Sequence, residues 1–353
     1  MIFECHLAAP SAITVATLEP AGAARWDAFV QRCPDATFFH RAGWQTVIER
    51  AFGHRTWFLY AEADGEIRAV LPLAQINSML FGNSLCALPF CVYGGVAAQD
   101  EAAAAALDQA ARALAASLRV DYLEYRHLGP ARHPDWLQSD LYVTFRKRLH
   151  AQPEHNMLDI PRKQRAMVRK GIAAGLHSAV DYDVHHFFDV YAGSVHRLGT
   201  PVFAKRYFAL LRQVFGRDCE IISVYRRAET ISSVLVFYFR DEVLPYYGGG
   251  TATARSVAGN DFMYWEVMRR ACLRGYTLFD FGRSKVGTGA YDFKRNWGFA
   301  AQPLHYEYQL VRASALPQNN PLNPKYQRFI RAWRRLPLAL ANGIGPHIVR
   351  YLG

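Results

Sequence analysis

The sequence has no Gly-x-Ser-x-Gly elbow, no Walker A run, no His-Glu-x-x-His and no dinucleotide-binding glycine fingerprint. Each of these patterns brings its own chemistry: an exposed nucleophile, a phosphate cradle, a metal pair or a nicotinamide pocket. Their absence weighs against hydrolase, kinase, metalloprotease and dehydrogenase classes. Cysteine is scarce, with six in 353 residues at positions 5, 33, 86, 91, 219 and 272. None are spaced as C-x-x-C, and most lie in apolar strings such as Leu85-Cys86-Ala87-Leu88. That predicts buried free thiols in a reducing compartment. The 13 histidines are scattered apart from His185-His186, which reads as a helix start, so no metal site is expected. No run of about 18 uncharged apolar residues occurs, which argues against a membrane span. The opening Met1-Ile2-Phe3-Glu4-Cys5-His6 lacks a basic region followed by a long apolar core, so a cytoplasmic protein is expected.

What is present is a globular composition. Hydrophobic residues make up 51%, aromatics 14% and charges only 20%, enough apolar material for two cores. Lys and Arg number 41 against 30 acids, a formal charge of +11. By steering alone that excess favours partners carrying phosphate: RNA, a nucleotide-linked substrate or an anionic membrane face. DNA is not among the expected partners.

Two halves of the chain show one order of elements. In the first, Thr56–Ala61 and Ile67–Leu73 read as strands joined at Asp64-Gly65. A turn-rich stretch through Gly94-Gly95 follows, then an alanine-rich helix over 101–118 and a strand at 122–125. In the second, Cys219–Tyr225 and Ile231–Phe239 form the hairpin about Arg227-Ala228-Glu229. Tyr246-Tyr247-Gly248-Gly249-Gly250 takes the place of the glycine turn. A helix over 261–273 follows, capped by Asn260 or Asp261 and stopped at Gly275, and then a strand at 277–281. The repetition predicts two α/β domains, over 1–155 and 156–318, followed by a basic amphipathic tail over 319–353.

Two basic segments stand apart. Pro161 suits the first position of a helix in which Arg162, Arg165 and Arg169 share a face, flanked by Lys163 and Lys170. That face is either solvated or built for a polyanion; only Asp159 is a close acidic neighbour. In the tail, Asn319–Pro324 reads as a stiff polar linker. Beyond it, Phe329, Ile330 and Trp333 lie along one side of a helix and Arg328, Arg331, Arg334 and Arg335 largely on the others. Such a helix either docks on the protein or lies in an anionic membrane interface, with Trp333, Phe329 and Ile330 inserted, followed by the apolar Leu336-Pro337-Leu338-Ala339-Leu340 stretch.

The most informative run is Phe279–Phe299. An apolar strand ends in a loop punctuated by Gly282, Gly287 and Gly289, and the loop carries Arg283, Lys285, Lys294 and Arg295. Such a loop can expose backbone N–H groups and aim cations at a developing negative charge. Acyl transfer to an amine asks little more of a protein when the donor is already an ester or thioester. In that chemistry Lys294 is the point charge for the oxyanion or departing oxygen, and Arg283 or Arg295 clamps phosphate. Asp280 or Asp292 orients a substrate ammonium, and Tyr246, Tyr247 and Tyr291 offer phenolic donors.

Several stretches resemble the FemAB-like proteins, a branch of the GNAT superfamily with two tandem GNAT-like domains. They are Phe38-Phe39-His40-Arg41-Ala42-Gly43-Trp44, Pro161–Lys170, Gly199–Phe208, Tyr247-Gly248-Gly249 and, most specifically, Gly287–Phe299. Within that branch the chain is similar to the FemAB family proteins associated with the exosortase/PEP-CTERM system. The resemblance spans about residues 25 to 310, and it implies the fold class α/β with two tandem GNAT-like domains. It also implies transfer of an amino acid from aminoacyl-tRNA to an amine on a cell-envelope precursor. The family's aromatic-lysine pair falls on Phe293 and Lys294, beside Tyr291 and Asp292 as the catalytic segment. Its substrate contacts fall on Arg165, Arg169 and Tyr207, more loosely on Arg41; Tyr247, Arg283 and Arg295 join them as substrate-binding candidates from the reading of the residues themselves. Independently of the resemblance, the glycine loop makes Gly287 and Gly289 the expected donor-binding positions. The acid that the family carries late in its first domain corresponds to Glu124. The long coiled-coil arm and the usual acyl-CoA loop are not evident.

The resulting expectation is an N-acyl or aminoacyl transferase with no tightly bound cofactor. Its co-substrate is acyl-CoA or aminoacyl-tRNA, and its acceptor is a phosphate-bearing envelope or exopolysaccharide precursor or an amino sugar. The alternative is a non-catalytic RNA- or membrane-binding protein on a degenerate GNAT-like fold. Localisation is expected to be cytoplasmic, with peripheral contact at the inner membrane.

Overall fold

A computed structural model of the chain describes residues 12–79, 81–316 and 324–352, with side chains in the last segment from Arg328 onward. The Asn319–Pro324 linker lies almost entirely outside these residues, as do Cys5 and the first eleven positions. The chain divides into two units. One comprises residues up to Glu49, His54–Leu137 and Glu307–Ser314; the other comprises Arg50–Gly53, Gln138–Tyr306 and the chain from Ala315.

The first unit contains β1 (Thr14–Thr17), α1 (Ala23–Arg32), most of α2 (Gly43–Phe52), β2 (Thr56–Ala63), β3 (Glu66–Ser78) and β4 (Gly82–Cys86). It continues with β5 (Ala97–Ala98), α3 (Glu101–Ser117), β6 (Tyr122–His127), the first residue of β7 (Leu137–Ser139) and most of β16 (His305–Leu310). Asp64 and Gly65 both adopt positive φ, 54° and 74°. Those are the angles that a two-residue turn between twisted strands requires, so β2 and β3 pair as predicted. Asp100 caps α3 by accepting the Ala103 N–H at 2.8 Å. Ala103, Ala104, Leu107, Ala111 and Ala115 then turn a narrow stripe onto the sheet. The small residues let the helix lie close against β2 and β3, where Leu59, Leu71, Leu73 and Leu123 complete a dry core. The helix carries the chain across so that β4 and β6 pair in parallel.

The second unit begins with the rest of β7, then β8 (Tyr142–Arg148), α4 (Pro153–Asp159), α5 (Arg162–Ala173), β9 (His177–Asp181), α6 (Val184–Leu198) and α7 (Lys205–Phe215). Next come β10 (Cys219–Arg226), β11 (Glu229–Phe239), β12 (Glu242–Gly250), α8 (Ala252–Ser256), α9 (Gly259–Leu273) and β13 (Leu278–Asp280). It ends with β14 (Ser284–Lys285), α10 (Gly289–Asn296), β15 (Ala301–Pro303), the start of β16 (His305–Leu310), α11 (Pro324–Trp333) and α12 (Leu338–Val349). Its strand order is β14-β8-β13-β12-β11-β10-β9, with β15 also on β8; the other sheet runs β1-β2-β3-β4-β6-β16-β7, with β5 on β3. The helix α9 joins parallel strands β12 and β13, as α3 joins β4 and β6. The two sheets are thus built alike, as the repeated element order predicts.

Three local expectations are corrected. Pro245–Gly250 is not a turn but the end of β12, paired with β11 through Gly248, Gly249 and Gly250. Its glycines answer to crowding: a Cβ on Gly249 would lie 2.7 Å from the Ser194 Cβ on α6, and one on Gly250 would collide with Asn260. Helix α9 starts at Gly259 after a left-handed Ala258, because Asn260 and Asp261 spend their side chains elsewhere, on Ser232 and Gln164. Pro161 sits one residue outside α5 with extended backbone, and a separate short helix, α4, precedes it. The five described cysteines are free and buried, as expected.

Candidate active site

The site grows from the end of β13. Asp280 is fully buried, and its carboxylate accepts the Gly282 N–H at 2.6 Å and the Thr144 hydroxyl at 3.2 Å. Its other oxygen lies 3.2 Å from the Arg146 guanidinium on β8. Asp280 is therefore committed to holding the loop in place, not to receiving a substrate ammonium. From there the chain turns through Gly282 at φ 67°, lays β14 against Val143 and Tyr142 of β8, and turns again at Gly287 at φ 77°. Thr288 caps α10 through its hydroxyl, which faces the Tyr291 N–H at 3.4 Å.

Helix α10 separates its residues by period. Phe293 packs on Tyr264 of α9 and, with Trp297, closes over Phe281. Tyr291 leans edge-on against Phe145, with 5.5 Å between ring centres. Asp292 and Arg295 face outward and pair with each other at 3.3 Å. Lys294 reaches back over the loop, where its ammonium donates to the carbonyls of Gly282 at 2.9 Å and Arg283 at 3.0 Å. Burial pulls its pKa down to about 7, and the nearby Arg283 charge adds to this while Asp280 opposes it. Next to it, Arg283 stacks on Tyr142 at 4.6 Å and donates to the Tyr306 hydroxyl at 3.0 Å. Lys285 lies over the same Tyr142 ring, and burial followed by Arg283 repulsion lowers its pKa to about 8.

Three cations thus converge on one loop whose backbone is open. A side chain built on Gly282, Gly287 or Gly289 would meet nothing within 4 Å. Packing does not require glycine there; at Gly282 and Gly287 the positive φ does, and at Gly289 the open backbone leaves room for a ligand to approach. An ammonium has three N–H groups. Two are on carbonyls, which leaves one more, and the Phe145 ring lies 5.8 Å from the nitrogen.

The other predicted residues sit elsewhere. Arg165 donates to the Leu158 carbonyl at 3.0 Å. Arg162, Lys163, Arg169 and Lys170 are exposed on α5 and, among the described residues, none forms an ion pair. This stripe starts beside α10: a Cβ on Gly298 would lie 3.0 Å from the Pro161 ring. Tyr207 is fully buried, and its hydroxyl meets that of Tyr247 at 3.0 Å inside a cluster with Phe203, Phe208 and Tyr191. A cavity of about 60 Å³ beside Tyr207, lined in part by Phe52, Arg206 and His347, has room for a few waters but not for a substrate. In the first unit Arg41 lies over Phe38 and 3.9 Å from Asp27, bracing the start of α2. Glu124 turns inward and forms a buried bidentate pair with Arg126 at 2.9 and 3.2 Å, which leaves it no part as a base.

A polar network in the first unit escaped the sequence reading. Glu307 is fully buried and accepts the His133 N–H at 2.7 Å, with the His127 ring at 3.1 Å. His133 reaches on to Asp108 at 3.1 Å. Burial would raise Glu307, but hydrogen bonds from His127 and His133 hold it far below the ordinary carboxylate range. Burial would lower His133, yet its bonds to Asp108 and Glu307 keep it up at about 9. One signal was available: Asp108 falls on the alanine stripe of α3, where a charge needs a buried partner.

A family model described as an acetyltransferase (GNAT) domain matches residues 157–295. No curated protein matches the chain. Among solved structures the chain is similar to FemX, with a TM-score of 0.66 and 14% identity over 90% of this chain and 100% of that one. It is also similar to the C-terminal domain of a putative lysylphosphatidylglycerol synthetase from Agrobacterium fabrum, with a TM-score of 0.57 and 13% identity over 82% and 92%. A tandem GNAT protein from the clavulanic acid biosynthesis pathway matches with a TM-score of 0.52 and 12% identity over 87% and 100%. The chain therefore has an α/β fold like that of FemX and of the tandem GNAT protein, with two similarly built sheets, and the matched GNAT domain and the three-cation loop both lie in its second unit.

Proposed function

We propose that this protein transfers an activated acyl or aminoacyl group to an amine, with Lys294 as the electrophilic group of the second unit. The observation that carries this is the partly desolvated Lys294 ammonium, tied to two loop carbonyls with one N–H beyond those two bonds. Attack of the amine on the ester or thioester carbonyl builds an oxyanion. The C–O or C–S bond to the donor then breaks as the C–N bond is kept, and the proton the amine gives up passes, directly or through water, to the departing oxygen or sulfur. A fixed N–H in a poorly solvated site stabilises the developing charge more than water would, because no dipoles have to reorient during the step. Arg283 and Lys285, stacked on Tyr142, supply the positive field for a phosphate of the donor or acceptor. The donor is aminoacyl-tRNA or acyl-CoA. The acceptor is an amine on a phosphate-bearing envelope or exopolysaccharide precursor, or an amino sugar, which accords with the resemblance to the PEP-CTERM-associated FemAB proteins.

Incubation of the purified chain with charged tRNA pools or with acyl-CoAs, each with candidate amines, tests this reading. Consumption of one donor that depends on both the amine and Lys294 is expected; loss of neither ester under any condition rejects it. A second reading, polyanion binding without turnover, rests on the unpaired cations of α5. It is favoured if RNA binds salt-dependently while both donors stay intact.

A further inference from the structure

From residue 308 to residue 353 the chain contains no Asp or Glu, against seven Lys and Arg. Helices α11 and α12 occupy most of this stretch, and both are docked by one edge. On α11, Trp333 is buried, its carbonyl faces His196 and Ile330 presses on Gly199; just past its end Arg334 donates to the Leu198 carbonyl at 3.1 Å. On α12, Ala341, Gly345 and Val349 turn inward at four-residue spacing. A Cβ on Gly345 would lie 3.0 Å from the Val202 backbone nitrogen and 3.6 Å from the Trp333 ring, so the two helices meet over that indole.

The outward sides differ from an ordinary solvated surface. Arg328 and Arg331 are exposed one turn apart on α11 and Arg335 is exposed in the turn that follows it, and none has an ion pair among the described residues. On α12 the solvent-facing stripe is aliphatic: Leu340 is 48% exposed and Ile344, one turn on, 40%. Leu338 and Phe329 are each 40% exposed near the junction. Large apolar side chains and unpaired arginines without any carboxylate among them match a surface that is anionic outside and hydrocarbon just beneath.

We propose that the outward face of α11 and α12 docks on an anionic lipid bilayer, with Leu340, Ile344 and Phe329 entering the interface and Arg328, Arg331 and Arg335 meeting headgroup phosphates. The contact is shallow, since no helix among the described residues is long and apolar enough to cross a membrane. Of the set the sequence suggested, Trp333 is spent on the protein core, while Phe329, Leu338 and Leu340 stay exposed and Ile344 joins them. The same residues favour lipid over RNA: binding of single-stranded nucleic acid draws on exposed aromatic platforms, and here the exposed groups are mainly aliphatic. This inference is independent of the transferase reading.

The test is sedimentation of the full chain with phosphatidylglycerol-containing vesicles and with pure phosphatidylcholine vesicles, across a salt series. Binding to the anionic vesicles alone, weakening with salt, is expected. Leu340→Glu with Ile344→Glu alters only exposed positions, so its melting curve should match the parent while vesicle partition falls at least tenfold. Arg328→Glu, Arg331→Glu and Arg335→Glu are each expected to lower partition about fivefold or more. Equal binding to neutral and anionic vesicles, or unchanged binding by the folded Leu340→Glu/Ile344→Glu variant, overturns the proposal. So does an oligoribonucleotide that binds these arginines while vesicles do not.

Discussion

Replacing Lys294 by Met separates what this lysine does for the fold from what it does for the reaction. Met keeps an unbranched stem near Phe145 and removes the ammonium. Two effects on stability oppose each other. The carbonyls of Gly282 and Arg283 lose a donor, worth about 1–3 kcal/mol each if they stay buried. Against that, the variant no longer forces a charge into a poorly solvated place. A value of about 7 instead of 10.5 corresponds to an upper limit of about 5 kcal/mol. At pH 7 the two nearly offset, so the melting temperature should move little. The pH dependence is where they separate. The folded lysine binds its proton more weakly than the unfolded one, so the penalty is fully present below pH 7 and is relieved as pH rises from 7 toward 10.5. Relative to Lys294→Met, the parent should gain up to about 1.4 kcal/mol of stability per pH unit in that window. Activity should behave differently: turnover is expected to fall about a hundredfold or more, with the inflection near pH 7 missing from the rate profile. Denaturant titrations of both proteins at several pH values, paired with initial rates, provide the check. A flat difference in stability across pH 7–10 would show that the lysine is not desolvated. Full turnover in the folded variant would remove it from the reaction.

Glu307→Gln should cost roughly 3–5 kcal/mol, because it leaves His127 and His133 buried beside a neutral partner; urea unfolding would measure it. The parent's own pH profile carries the same network. The His133 contribution is complete below pH 6.5 and is lost as pH rises through about 9, while that of Glu307 is lost as pH falls below about 4.5. The midpoint should therefore decline from pH 6.5 to 9, and the decline should be shallower in His133→Gln. Arg165→Glu with Arg169→Glu should leave the melting curve within about 0.5 kcal/mol. In a filter-binding salt series the same pair should reduce the tRNA-binding slope by about 0.7–0.9 per phosphate contact removed; an unchanged slope would take α5 out of donor binding. Gly199→Ala should loosen α11, since φ 81° strains alanine and its methyl collides with Ile330. A loss of roughly 1–3 kcal/mol and faster proteolysis within 324–336 are expected.

The local decisions were written in the sequence. Asp64-Gly65 tolerates the two positive φ values of its hairpin, the alanines of α3 favour a helix, and Gly275 takes the left-handed angle that ends α9. The order of strand, glycine loop and short cationic helix around Lys294 was legible for the same reason: backbone propensity acts between neighbours. Periodicity also showed which side of α11 is apolar. What periodicity does not carry is the identity of the partner. Only the folded chain shows that β8, more than 130 residues earlier, pairs with β13, β14 and β15 and brings Thr144 and Arg146 to Asp280. Only packing decides that Trp333 turns into the protein while Leu340 and Ile344 face out. Asp108, His133 and Glu307 are separated by up to 199 positions. A buried charge is stable only where the tertiary fold delivers its counter-charge within about 3 Å, and no local pattern encodes that meeting.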